Sequence, residues 1–185
     1  MIKKHFYSWQ DIETMCTNIV KQMYADNFKP DYIVGITRGG NIPATIISNM
    51  TGISCEALKV SLRDDARESE SNTQMAQDAI SEKKILIVDD INDTGATFNW
   101  IKNDWQQSLT GTGDWHHKRM WSNVKFATLT ENLASEFENV SYHVHEVNKA
   151  EEDVWLVYPW ENIGDYDVPV SYTHLRAHET RHDLV

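Results

Sequence analysis

Residues 85–97 read Ile-Leu-Ile-Val-Asp-Asp-Ile-Asn-Asp-Thr-Gly-Ala-Thr, and no other stretch constrains the fold as strongly. Ile85 to Val88 form an apolar, largely β-branched run, too short for a buried helix, which predicts a strand buried on both faces. It ends in two adjacent carboxylates, Asp89 and Asp90. A short loop, Asp93 to Thr97, then opens onto a helical pattern at Phe98, Trp100, Ile101 and Trp105. Small and hydroxyl residues ahead of a helix N-terminus present backbone N–H groups and the positive end of the dipole to a phosphate. The acid pair lies one loop away, placed for sugar hydroxyls or a hydrated Mg²⁺. Ordinary helix capping accounts for neither the acid pair nor Gly95.

The rest of the chain supplies a frame for that motif. Ser8 and Asp11 open an amphipathic pattern (Trp9, Ile12, Met15, Cys16, Ile19, Val20, Met23) that ends near Asn27, and Pro30 stops it. Tyr32–Ile36 reads as a core strand running into Thr37-Arg38-Gly39-Gly40. Residues 41–50 are helical, with Pro43 in the first turn, where proline is tolerated. Cys55–Val60 is a second strand. Residues 61–82 are polar and charged, a pattern of a lid or a disordered loop. The strand at 85–89 and a helix over 96–108 follow, then an irregular insertion at 109–121 with Gly111, Gly113, His116 and His117. Val124–Thr130, Val140–Val147 and Val154–Tyr158 read as further strands. Strands alternating with helices imply an α/β fold with a parallel sheet, whose ligands gather at the C-terminal strand ends.

The strand, acid pair and phosphate loop of 85–97 together resemble the 5-phosphoribosyl 1-pyrophosphate (PRPP) motif of the type I phosphoribosyltransferases. Thr37-Arg38-Gly39-Gly40 resembles their pyrophosphate loop, in which the peptide before the arginine is often cis. Its glycines permit close backbone approach, and Arg38 grips phosphate with a planar fork. Val154-Trp155-Leu156-Val157-Tyr158-Pro159-Trp160-Glu161 is similar to the nucleobase segment of the xanthine–guanine members. The three motifs stand in family order over residues 30–161, and the whole chain is similar to phage-borne members. The resemblance implies a central, mainly parallel sheet flanked by helices, with a small hood from the chain ends. It implies PRPP contacts from Thr37, Arg38, Gly39, Asp89, Asp90, Asp93, Thr94, Gly95, Ala96 and Thr97, with Mg²⁺ at Asp89 and Asp90. It also implies purine contacts from Trp155, Leu156 and Glu161: Trp155 stacking on the base, Leu156 offering backbone groups. Trp160 is expected in the core.

Asp93 selects among bases. The 6-oxopurine enzymes place an aspartate here, facing N7, where it serves as general acid or base. Guanine, xanthine or hypoxanthine is therefore the expected acceptor. Two departures stand out. The resembling enzymes carry a lysine near the end of the strand after the PRPP helix, directed at O6; this chain has Phe126 to Asn132 there, with Asn132 or the more distant Lys149 as replacements. Their lid begins Ser-Tyr, whereas this one begins Ser61-Leu62. Two alternatives stay open: transfer to a different acceptor, and a PRPP-sensing regulator of the same fold.

A formal charge of −11 argues against nucleic-acid binding. No apolar run reaches membrane-span length, and Cys16 and Cys55 have no metal-type spacing, so a cytoplasmic protein with reduced thiols is expected. His143 and His145 share a strand face without a third ligand. Trp100, Trp105, Trp115 and Trp121 form either a dimer patch or the core of the insertion. A homo-oligomer, dimer or tetramer, is expected. Residues 1–168 read as one domain and 169–185 as a non-native read-through tail, since Val170 to Thr180 resembles a translated sequencing adapter.

Overall fold

The computed structural model describes residues 3–60, 62, 72–109, 114–152 and 154–161. In chain order the elements are β1 (Lys3–Phe6), α1 (Trp9–Ala25), β2 (Tyr32–Thr37), α2 (Asn41–Thr51), β3 (Cys55–Lys59) and α3 (Thr73–Ile80). They continue with β4 (Ile85–Asn92), α4 (Ala96–Ser108), α5 (Asp114–Ser122), β5 (Val124–Asn132), β6 (His145–Val147) and β7 (Val154–Val157). Five strands form one parallel sheet in the order β3-β2-β4-β5-β6. The alternation of side chains along β4 explains its unbroken apolar run. Leu86 and Val88 enter a core shared with α1 and α2, while Ile85 and Ile87 enter a second core against α3, α4 and α5.

α1 begins with the anticipated cap. The Ser8 hydroxyl accepts the Asp11 N–H at 3.1 Å, and the Asp11 carboxylate accepts the Ser8 N–H at 2.8 Å. Its inward stripe is Ile12, Met15, Cys16, Ile19 and Met23. The chain ends build the hood: β1 pairs in parallel with β7, from Lys3 opposite Val154 to Phe6 opposite Val157.

Several elements differ from the sequence reading. Within the polar stretch 61–82, residues 73–80 are helical, capped by the Asn72 side chain and anchored by buried Met75, Ala76 and Ala79. The centre of the expected lid, 63–71, lies outside the described residues. The insertion at 109–121 is largely helix α5, with Met120 buried. The strand expected over 140–147 shrinks to β6 plus an isolated bridge between Ala127 and Tyr142. Trp105 is fully buried and stacks on Trp121 at 5.7 Å, so it belongs to the core rather than to a dimer patch. Trp160 packs partly buried, stacked on Tyr158 at 4.9 Å. The tail at 169–185 lies outside the described residues.

Candidate active site

Because the large sheet is parallel, Thr37, Asn92 and Asn132 end their strands on one edge, and the loops that follow meet there. The first contact is between the 37–40 loop and the end of β4. A Cβ on Gly39 would collide with the Asp90 carboxylate, and one on Gly40 would strike the Val88 carbonyl. Only glycines allow residues 39 and 40 to lie this close to the end of β4. The Thr37–Arg38 peptide is cis, and Arg38 is exposed. Asp89 is buried and Asp90 half-buried. The Asp89 carboxylate accepts the Asp90 N–H at 3.0 Å, and the Asp90 carboxylate accepts the Ile91 N–H at 2.9 Å. Both acids are thereby fixed relative to the backbone of the strand end.

At the start of α4, Gly95 is left-handed (φ 84°), and a Cβ there would lie 2.5 Å from the Phe137 nitrogen. The glycine thus serves both the turn and a close approach. Thr94 and Ala96 are exposed and Thr97 half-buried, around a helix start whose first N–H groups have no intrahelical acceptor. Thr94 Oγ1 accepts the Ala96 N–H at 3.3 Å.

Asp93 stands between two residues from other parts of the chain. Lys149 Nζ lies 2.9 Å from Asp93 Oδ1, both side chains partly exposed. The Asn132 amide donates to the Asp93 carbonyl at 2.8 Å, while its oxygen accepts the Lys149 N–H at 3.0 Å. Asn132 thus holds the Asp93 loop and the Lys149 loop together, and Lys149 delivers an ammonium to the acid.

The hood contributes the fourth group. Trp155 is 49% exposed between buried Val154 and Leu156, so it is not a core tryptophan. Glu161 Oε2 accepts the Tyr158 N–H at 3.2 Å, closing the turn after β7. The Tyr158 hydroxyl donates to the Asp90 carbonyl at 3.0 Å, so the hood touches the acid pair directly.

The Phosphoribosyl transferase domain family matches residues 3–105, more than half of the chain. The protein belongs to that family. Among curated relatives, xanthine phosphoribosyltransferase 1 of Saccharomyces cerevisiae is 24% identical over 86% of this chain and 90% of its own length. Xanthine-guanine phosphoribosyltransferase of Idiomarina loihiensis is also 24% identical, over 91% and 94%. Among solved structures, a purine phosphoribosyltransferase from Pyrococcus horikoshii superposes with a TM-score of 0.60 at 20% identity, covering 86% of this chain and 95% of that one. This phosphoribosyltransferase accordingly has the type I fold, with a hood formed by β1 and β7.

Tyr158, which meets the acid pair, carried no sequence signal of its own: its contact crosses the fold, and it reads as an ordinary core position. His143 and His145 are engaged elsewhere, His143 with Glu146 at 2.8 Å and His145 with the Tyr7 hydroxyl. Among the described residues no group of three or more His, Cys, Asp or Glu could hold a metal ion. No helix among them is long and apolar enough to cross a membrane.

Proposed function

We propose that this phosphoribosyltransferase joins a 6-oxopurine (guanine, xanthine or hypoxanthine) to PRPP, giving the nucleoside 5′-monophosphate and pyrophosphate. The observation that carries this reading is the Asp93–Lys149 pair beside the phosphate loop. A carboxylate only accepts and an ammonium only donates, the complement of an N7–H next to a 6-oxo group. Adenine presents a donating amine at position 6, which an ammonium cannot satisfy, and such a donor–donor mismatch disfavours it. Lys149 takes the part that the strand-end lysine plays in the resembling enzymes, reaching in from a different loop. The names of the curated relatives, purine enzymes all, agree with this choice.

In the reaction N9 of the base attacks C1 of PRPP, and the bond from C1 to pyrophosphate breaks with inversion. The electron pair leaves on pyrophosphate, and the proton of the base passes to Asp93. Thr37, Arg38 and Gly39 hold the pyrophosphate, and Thr94 to Thr97 hold the 5′-phosphate through backbone N–H groups. Asp89 and Asp90 face the ribose. Trp155 stacks on the base, Leu156 offers backbone groups to its edge, and Glu161 fixes the turn beside it. The Asp90 carboxylate against Gly39 and the Asp89 carboxylate against Gly40 would suit Mg²⁺, which takes one or two carboxylates and completes its shell with phosphate oxygens and water. When bound, the ion neutralises charge on the departing pyrophosphate. Exposed Trp9, Tyr24 and Met50 on α1 and α2 support a homo-oligomer, and the charge and composition support a cytoplasmic enzyme free of nucleic acid.

The test supplies Mg²⁺, PRPP and one acceptor at a time, measuring pyrophosphate release. Turnover with at least one 6-oxopurine and little with adenine or orotate is expected. Turnover only with another acceptor would overturn the base assignment, and PRPP binding without any turnover would make the protein a PRPP-sensing regulator.

A further inference from the structure

Beneath the acid pair, four side chains touch in sequence. The His145 Nδ1 meets the Tyr7 hydroxyl, Tyr7 lies 2.9 Å from Thr130 Oγ1, and Thr130 lies 3.1 Å from the Tyr158 hydroxyl. Tyr158 in turn lies 3.0 Å from the Asp90 carbonyl oxygen. A carbonyl only accepts, so the Tyr158 hydroxyl is the donor to Asp90. The same hydroxyl also lies within donating distance of Thr130 Oγ1. The Tyr7–Thr130 bond can run in either direction, and the His145–Tyr7 direction follows the imidazole tautomer. The contacts run from β6 and the start of the chain to the end of β4 that carries the acids.

The surroundings hold it rigid. Tyr7, Thr130 and Tyr158 are buried. Tyr158 is stacked between Tyr7, at 5.0 Å and 22° between rings, and Trp160.

We infer that Tyr158 is a positioning residue for PRPP: its hydroxyl anchors the Asp90 carbonyl and so fixes the acidic end of β4 that meets the ribose and the cation. Its place directly after β7, three residues beyond Trp155, lets the segment that carries the base platform also aim the PRPP acids. The inference rests on reading Asp89 and Asp90 as PRPP contacts. It assigns the hood a second task besides holding the base. Removing the donor of a buried hydrogen bond leaves its acceptor bare, which costs more than the bond itself contributes.

The experiment is calorimetric titration of the full chain with PRPP and Mg²⁺, no purine present, alongside melting temperatures. Tyr158→Phe keeps the ring and removes only the hydroxyl; its PRPP Kd should rise about five- to tenfold. Tyr7→Phe removes one bond of the same chain but leaves the donor to Asp90 in place. It should lower the melting temperature comparably while its PRPP Kd stays within about twofold, well under the factor of ten that 1.4 kcal/mol would give. Equal weakening of PRPP binding in both variants, or no weakening in Tyr158→Phe, would overturn the inference. Failure of the unaltered protein to bind PRPP would overturn the underlying PRPP reading, and this inference with it.

Discussion

Asp93 draws its surroundings from three segments: its own loop, the end of β5 through Asn132, and the 148–152 turn through Lys149. The carboxylate was legible in the sequence because it sits at a fixed offset from the acid pair in a local motif. The lysine was legible only as a possibility. Nothing near Lys149 marks it, and what brings it to Asp93 is an approach across the fold that no local pattern encodes. Arg38, Gly39 and Gly95 were readable for the opposite reason, since their demands on the backbone are local. Tyr158 was invisible as a functional residue, because an aromatic in an apolar strand looks the same whether its hydroxyl is idle or anchored to a carbonyl. The account predicts that Asp93→Asn lowers turnover by about ten- to ten-thousandfold, the range for a general acid or base. PRPP affinity should persist, because the phosphate loops are untouched. Steady-state rates with a 6-oxopurine, together with a PRPP titration, check both halves, and turnover at the parent rate would remove Asp93 from its role.

At the scale of elements, sequence patterns located what was strongly periodic and missed what was not. β2, β4, α1 and α4 were legible because each buries a regular apolar stripe. β1 was missed because all four of its residues are exposed; backbone pairing with β7 makes it a strand, without a hydrophobic signal. α3 was hidden in polar sequence, with only Met75, Ala76 and Ala79 to mark its buried face. The ends of β4 and β5 are joined under the site by the Asn92 amide, which donates to Glu131 Oε1 at 2.8 Å and to the Phe137 carbonyl at 2.9 Å. Burial raises the Glu131 carboxyl above its ordinary range, although the Asn92 bond partly opposes this. A carboxyl raised by folding contributes its full stability below the unfolded pKa of about 4.3 and loses it as pH climbs through the folded value. Glu131→Gln, which keeps an acceptor for Asn92, should therefore gain melting temperature relative to the parent as pH rises from about 4 to 7. A difference that does not change with pH would show that Glu131 titrates as it does in the unfolded chain.

For the whole molecule, the account divides labour between two sheets. The C-terminal edge of the five-stranded sheet gathers the loops at 37–40 and 89–97, proposed to hold PRPP, and the two-stranded hood carries exposed Trp155, proposed to meet the base. The order of motifs along the sequence made the first part legible. The hood joins the two ends of the described chain, so its pairing was anticipated from the resemblance rather than from any local signal. The most direct measurement is the pair of Michaelis constants of Trp155→Ala with a 6-oxopurine and PRPP, read beside its melting temperature. Trp155 is exposed, so its loss should remove a stacking surface and little packing. The account predicts a purine KM raised about ten- to a hundredfold, in line with about 1–3 kcal/mol of stacking per base, with the PRPP KM and the melting temperature nearly unchanged. Equal damage to both constants with a lowered melting temperature would contradict it, showing that the tryptophan supports the fold and that the base binds elsewhere.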